Sequence, residues 1–205
     1  MKVGLTLGVK GEYKFIRRKA VTDDFGNRVP GPITQETPWM RNLMTNTYFN
    51  NALTTQTLSV RGISVGSGNT APAESQTILT SFIAATTSRQ NYTSTINSSV
   101  SPRYARKEFT YRFAEGVAAG NIAEVGMFDS VSTGTTSATV LSSRALVVDG
   151  GGSPTVVTVL SDEFLDVVWR GTWYVPEDVA GSCSLTIDET PTVFNWTIRA
   201  VRLLS

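Results

Sequence analysis

The feature that most constrains the fold is a regular alternation of apolar and polar residues in the second half of the chain. In KEFTYRF, the aromatic residues Phe109, Tyr111 and Phe113 occupy every second position. The run SDEFLDVVWRGTWYV, residues 161–175, continues the pattern over a greater length. Successive side chains of a strand point to opposite faces, so a period of two predicts half-buried antiparallel strands. The row of the longer run that we expect to be buried comprises Leu165, Val167, Trp169, Trp173 and Val175.

Turn signals separate the candidate strands at short intervals. DGGGSP, PEDVAGS and DETP lie between further candidate strands at TVVTVL, SLTI and FNWTIRAV, and DGGGSP is predicted to be an exposed turn. Charged residues make up only 17% of the chain, and the polar remainder is rich in Thr, Ser, Gly and Asn, which favours strands and turns over helices. The sequence therefore predicts an all-β fold, an antiparallel β-sandwich of jelly-roll-like type with roughly seven or eight strands.

The N-terminal part of the chain has a different character. DDFGN supplies the residues of a turn between two strands, and Pro30, Pro32 and Pro38 then keep the chain out of a helix. We expect a hairpin and extended arm over residues 1–38, outside the core of a sandwich that occupies residues 39–205. Deleting residues 1–35 is then expected to leave a folded β-rich monomer that no longer assembles.

The predicted arm carries a basic run, Lys14, Arg17, Arg18 and Lys19. One interpretation is a solvated edge whose charges resist unwanted strand pairing. The alternative is contact with acidic groups of a neighbouring chain. Together with Arg89, these residues are the candidate assembly contacts.

Residues 39–102 give weaker signals. The segment Trp39–Leu53 is predicted as one short helix, because its apolar residues fall on one helical face. A Ser/Thr-rich loop segment is expected over residues 66–102, and Arg89 is the only charged residue between Glu74 and Arg103. We expect burial against another chain to order this segment; a low-complexity linker is the alternative.

A glycine-rich stretch, AEGVAAGN, follows the strand that ends at Phe113. Gly116 and Gly120, with Asn121, allow positive φ, so a loop between strands is predicted there. The earlier stretch GSGNTAPAES lacks the GK[ST] ending of a phosphate-binding loop, so a surface loop is predicted there.

Composition excludes several kinds of chemistry. The chain has no histidine, which removes Ser-His-Asp and Cys-His catalysis and the HExxH zinc motif. Its one cysteine, Cys183, allows no internal disulfide and is predicted to be a small core residue. A net charge of +1 gives no case for nucleic acid, and no apolar run approaches the ~20 residues of a membrane span. We expect no cofactor and no metal.

Carboxylates offer the one route to catalysis that composition leaves open. A glycosidase uses a pair of them, and the densest group here is Asp162, Glu163 and Asp166, followed by Asp23 with Asp24. Both groups lie beside turns or on the polar face of a strand. Solvated charge is the favoured interpretation, and we expect the protein not to be an enzyme.

Four segments, in this order, carry a resemblance: RNLMTNTYFN, VGSGNTAPAESQTILTSFIAATTS, FTYRFAEGVAAGNIAEVGMF and SSRALVVDGGGSPTVVTVLSDEFLDVVW. Over residues 40–200 the chain resembles small β-rich virion structural proteins of tailed bacteriophages, from the tail, the neck or collar, or the fibre attachment. The last segment is similar to a hairpin found in that family, and no catalytic residue comes with the resemblance. Its matching turn positions are Asp149, Gly152, Pro154, Thr155 and Thr158.

The resemblance implies a non-enzymatic subunit located in the virion. Its partners would be copies of itself in a symmetric ring or multimer, together with other virion proteins, and neither nucleic acid nor membrane. Alternatives are a capsid decoration protein and a module of the particle that binds a receptor or carbohydrate. Aromatic residues on which a sugar could stack would then be Trp39, Tyr92 and Tyr174.

Overall fold

A computed structural model describes residues 8–55, 61–128, 141–175, 178–187 and 190–198. These residues form antiparallel sheets and one short helix, which confirms the predicted all-β class. The jelly-roll-like connectivity stays a prediction.

The secondary-structure elements follow one another in a simple order. The first six are β1 (Gly8–Thr22), β2 (Arg28–Glu36), β3 (Met40–Arg41), β4 (Leu43–Met44), α1 (Asn46–Thr55) and β5 (Gly62–Gly66). The next five are β6 (Phe82–Thr86), β7 (Arg89–Asn97), β8 (Tyr104–Phe113), β9 (Gly120–Ile122) and β10 (Glu124–Phe128). The last five are β11 (Leu141–Leu146), β12 (Val157–Val159), β13 (Glu163–Tyr174), β14 (Val179–Ile187) and β15 (Thr190–Ile198).

Two larger sheets and two strand pairs account for these strands. The first sheet has six strands in the order β2-β1-β13-β8-β7, with β3 also paired to β1. The second has five strands in the order β4-β11-β10-β5-β6. The remaining pairs are β12 with β9 and β14 with β15.

The described chain divides into two compact units. The larger comprises residues 10–93 and 107–171, and the smaller comprises residues 1–9, 94–106 and 172–205. In the larger unit, buried side chains of the two larger sheets meet, and the hydroxyls of Tyr13 on β1 and Ser143 on β11 lie 2.7 Å apart. In the smaller unit, β14 and β15 form a two-stranded hairpin.

Alternation predicts the core well up to the middle of β13. Phe109, Tyr111 and Phe113 are all buried, as are the members of the β13 row as far as Trp169. The last two members of that row are not: Trp173 is half-buried and Val175 is exposed. Their assignment to the core was therefore wrong.

Three of the predicted turns are present, at DDFGN, AEGVAAGN and DGGGSP. PEDVAGS was wrong from Val179 onward, where β14 begins, and residues 176–177 and 188–189 of the other two predicted turns lie outside the described residues. In the β1–β2 turn the Asp23 carboxylate accepts the backbone N–H groups of Phe25 and Asn27. The glycine-rich stretch forms a turn at Gly116, whose φ is 72°, while Gly120, with a φ of 137°, is already the first residue of β9. Both glycines therefore adopt backbone conformations that other residues rarely take.

The N-terminal hairpin is part of the core, which corrects the expectation of an arm outside it. β1 lies between β2 and β13 in the six-stranded sheet. Tyr13 and Phe15 on β1 are 0% and 1% exposed. As predicted, the prolines lie outside a helix. Pro30 and Pro32 lie within the edge strand β2, where a missing N–H is tolerated.

Two further expectations for residues 39–102 are corrected. The helix begins at Asn46 rather than Trp39, because β3 pairs with β1 and β4 pairs with β11. Strand pairing thus overrides the helical spacing of the apolar residues. The supposed loop segment 66–102 contains the strands β6 and β7.

Candidate functional site

The basic run on β1 meets the acidic run at the start of β13, and the two form an ion-pair cluster within the larger unit. Arg17 Nη1 lies 3.3 Å from Glu163 Oε2, and Lys19 Nζ pairs with Asp162. Arg18 Nε donates to Asp166 Oδ2 at 3.0 Å. In the sequence analysis the basic run was a candidate assembly contact and the acidic run was weighed as a catalytic group. In the structure the two runs pair with each other.

Asp166 also holds an arginine of the neighbouring strand β8. Arg112 donates from Nε and Nη2 to the two carboxylate oxygens, at 2.6 and 2.7 Å. Because β13 lies between β1 and β8, one buried carboxylate joins Arg18 and Arg112 on opposite sides of its strand. The hydrogen bonds that Arg112 donates to Asp166 raise the pKa of this arginine further above its ordinary value.

Glu163 and Asp166 are 3% and 2% exposed, so the interpretation of this acidic group as solvated charge was wrong for these two residues. The hydrogen bond from Lys19 lowers the pKa of Asp162. Glu163 accepts the Thr34 hydroxyl and the Leu160 backbone N–H, at 3.0 and 2.9 Å. A glycosidase needs a carboxyl group whose pKa is raised so that it can donate a proton. The pKa of Asp162 is shifted in the opposite direction, since its hydrogen bond from Lys19 favours the ionised form.

Lys14 belongs to a second charged group, centred on Trp39. Its Nζ lies 2.6 Å from Glu36 Oε1 and 5.0 Å from the centroid of the Trp39 ring. The Arg170 guanidinium lies over the same ring at 3.8 Å and donates to Glu12. Trp39, a candidate for stacking on a sugar, therefore has cations of its own chain against its ring.

The remaining sequence candidates lie elsewhere. The Arg89 guanidinium is 5.9 Å from the centroid of the Phe109 ring. Tyr92 is 46% exposed and its ring centroid is 5.1 Å from that of Phe109. Tyr174 is half-buried and its ring lies 6.2 Å from that of Tyr104, in the smaller unit. Within the larger unit, Trp39 and Tyr92 have different neighbours: the cations of Lys14 and Arg170 for Trp39, and Phe109 for Tyr92.

Sequence reasoning missed a fully buried ion pair in the five-stranded sheet. Glu124 on β10 and Arg144 on β11 both have side chains that are 0% exposed, and Arg144 Nη2 lies 2.6 Å from Glu124 Oε2. The Glu124 carboxylate also accepts the backbone N–H groups of Gly68, Thr80 and Ser81 at 2.7 to 3.1 Å. Each charge is the single one in an apolar run, IAEVGMF or LSSRALVV, and that was the available signal.

The β14–β15 hairpin has one apolar face, which we call the ribbon face. Residues directly opposite in an antiparallel pair share a face, and here Cys183 pairs with Phe194 and Gly181 with Trp196. Phe194 is 41% exposed and Leu185, in the same row, is 55% exposed. Cys183 is half-buried, so its assignment to a sandwich core was wrong.

The ribbon face depends on close packing of the two strands. A Cβ atom placed on Gly181 would lie 2.4 Å from a ring carbon of Trp196, so the indole covers that glycine. The opposite face of β14 carries Ser182, Ser184 and Thr186, and neither strand contains a charged residue. The hairpin is thus uncharged, with an apolar row partly open to solvent.

A hollow of about 250 Å³ lies in the larger unit. Its one charged residue, Arg112, is already bound to Asp166. The hollow is lined by Ala85, Thr86, Ser88, Arg112, Phe113, Ala114, Val117 and Phe164.

The described ranges contain no group of three or more His, Cys, Asp or Glu residues placed to bind a metal ion. The same ranges include no helix with the length and apolar character to cross a bilayer. No family model, no curated protein and no solved structure matches the chain.

Proposed function

We propose that this protein is a non-enzymatic structural subunit of a tailed-bacteriophage virion, in the tail, the neck or collar, or the fibre-attachment region. In this proposal it assembles with copies of itself and with other virion proteins. The ribbon face is the observation that carries the assembly role. The resemblance of residues 40–200 to virion structural proteins supports the place.

An isolated two-stranded hairpin is marginal in water, and it gains stability when an apolar face is covered. The ribbon face exposes Leu185 and Phe194 with no charge on either strand to keep it hydrated. Full burial of an exposed side chain of this kind is worth about 1.5–3 kcal/mol, and roughly half of that remains to be gained by each of these half-covered residues. A contact between subunits supplies that burial.

The ion pairs made by the acidic run support a structural role rather than a role in hydrolysis. Asp162, Glu163 and Asp166 each pair with a basic side chain of β1, and Asp166 also binds Arg112. Their charges hold strands together, and the proposal therefore assigns them no catalytic step.

Assembly is tested by analytical ultracentrifugation and negative-stain electron microscopy of the full chain. We expect a defined oligomer. The double variant Leu185→Thr/Phe194→Thr keeps good strand formers but removes apolar area, and should sediment as a smaller species. Val156→Thr, at a position 51% exposed outside the hairpin, is the matched control and should sediment like wild type. A wild-type chain that stays monomeric at every concentration would overturn the proposal.

The virion location needs a separate measurement. Mass spectrometry of purified particles of the phage that encodes the chain should find it in constant ratio to the other structural proteins. Its absence from those particles would refute the location, whatever the oligomeric state of the isolated protein.

A further inference from the structure

The two larger sheets end in four edge strands of very different kinds. In the five-stranded sheet the edges are short: β4 has 2 residues and β6 has 5. In the six-stranded sheet, β2 contains Pro30 and Pro32, and its pairing with β1 is irregular at two points. Short strands, prolines and bulges are the devices that stop an edge from pairing with another chain.

The other edge of the six-stranded sheet, β7, has none of these devices. It runs for 9 residues, RQNYTSTIN, without proline or glycine, and its only charge is Arg89 at the first position. Tyr92 and Ile96 are 46% and 55% exposed, and the other residues of β7 are also exposed except the last, Asn97, which is half-buried. Threonine, tyrosine and isoleucine are good strand formers.

We propose that β7 pairs antiparallel with β7 of a second copy of this chain, across a twofold axis, so that the two six-stranded sheets continue into one another. This contact deepens the proposed function by naming the partner and the edge, and it rests on that function only in taking the chain to self-assemble. It uses backbone groups of β7, whereas the ribbon face uses the side chains of a different hairpin.

The distribution of charge favours a second copy. In an antiparallel pair centred near Thr93, each Arg89 lies opposite the far end of the partner strand, close to Asn97, so the two like charges are kept apart. Side by side in a parallel pair they would be adjacent, and like charges directly opposite destabilise a sheet. A twofold axis makes the surface complementary to itself, which is the commonest symmetry of homo-oligomers.

The strand is held in place before it pairs. The ring of Tyr92 lies against Phe109 of β8, and the Arg89 guanidinium lies over the same ring. An edge that is already ordered loses less conformational entropy when a partner strand is added. Main-chain hydrogen bonds then give the contact its affinity, as in other cases of strand addition.

The test uses opposite charges at the centre of the strand. Thr93 is exposed, so Thr93→Lys and Thr93→Glu should each fold and melt like wild type. Each variant alone places like charges across the axis and should sediment as a smaller species than wild type. An equimolar mixture of the two should restore the wild-type species, because lysine then faces glutamate. The same pair of substitutions at Asn69, an exposed loop residue, is the control and should have no effect.

Three outcomes overturn the inference. The single Thr93 variants sediment like wild type, or the smaller species they form does not return to wild-type size on mixing, or the Asn69 variants show the same loss and recovery. If the Thr93 variants form an oligomer of wild-type size while the Leu185→Thr/Phe194→Thr variant forms a smaller one, the β7 contact is wrong and the assembly role stands. A monomeric wild-type chain would defeat both.

Discussion

Glu124 and Arg144 form an ion pair in which both charges are completely removed from water. Removing one partner of a buried pair leaves the other charge uncompensated, which costs about 3–5 kcal/mol. We therefore expect Arg144→Met to lower the free energy of unfolding by that amount in urea denaturation.

The matched control for Arg144 is the half-exposed pair of Lys19 with Asp162, whose side chains are both 44% exposed. Lys19→Met should cost only about 0–1 kcal/mol, because water screens such a pair. Equal losses in the two variants would show that burial does not set the strength of the Glu124–Arg144 pair.

A second prediction at this scale concerns pH and Glu12. Burial acts to raise the pKa of the Glu12 carboxyl, but hydrogen bonds from Lys10 and Arg170 more than offset it, so the pKa falls below the ordinary value of 4.5. A lowered pKa in the folded state stabilises the protein above pH 4.5, and that stability is lost as the pH falls through the lowered value.

The measurement is the melting temperature as a function of pH. Glu12→Gln should flatten the acid side of the curve relative to the wild-type chain. A Glu12→Gln curve that keeps the wild-type acid slope would contradict the role given to this carboxylate.

At the scale of elements, the turn DGGGSP is held locally. The Asp149 carboxylate accepts the backbone N–H groups of Gly151 and Ser153, and Gly152 has a φ of 85°. Every residue of the turn is exposed. Inserting Gly-Ser between Gly150 and Gly151 should therefore change the free energy of unfolding by well under about 1 kcal/mol, because lengthening a flexible loop costs little.

Thermal melts of the insertion variant test this expectation. The same insertion between Gly116 and Val117 is the contrast, because a Cβ on Gly116 would lie 2.8 Å from the Ser161 carbonyl oxygen. We expect that second variant to be clearly less stable. Loss of folding in the Gly150 variant would mean that the exposed turn is buried in an assembly that the chain needs.

Elements whose signal is local could be read from the sequence. Alternation located β8 and most of β13, and turn residues located the reversals at Asp23 and Asp149. Strands of two residues, such as β3 and β4, are too short to show a period, so the expected number of strands was too low. The helix was misplaced because β3 and β4 take their structure from distant strands.

Pairing between distant segments was the part that could not be predicted. The basic run and the acidic run were both noticed, yet nothing local says that Arg18 faces Asp166 across 148 positions. The same holds for Tyr13 and Ser143, which are 130 positions apart. Those two contacts make the N-terminal hairpin part of the core, and without them it had the appearance of an arm.

For the whole molecule, the position of β1 gives a prediction opposite to that from the sequence. Deleting residues 1–36 removes β1 and β2, and with them Tyr13, Phe15 and the partners of the acidic run. We expect the truncated chain to lose cooperative thermal unfolding and its near-ultraviolet circular dichroism. A truncated chain that melts cooperatively would restore the view of this segment as an independent arm.

The shared carboxylate of Asp166 also has a consequence for how the protein is made. Arg18 leaves the ribosome before the strand that neutralises it, which follows 148 residues later. At a synthesis rate of about 5–20 residues per second, that gap lasts roughly 7 to 30 s. During this time β1 can pair with β2 but not with β13, so one edge of β1 stays open to incorrect strand pairing.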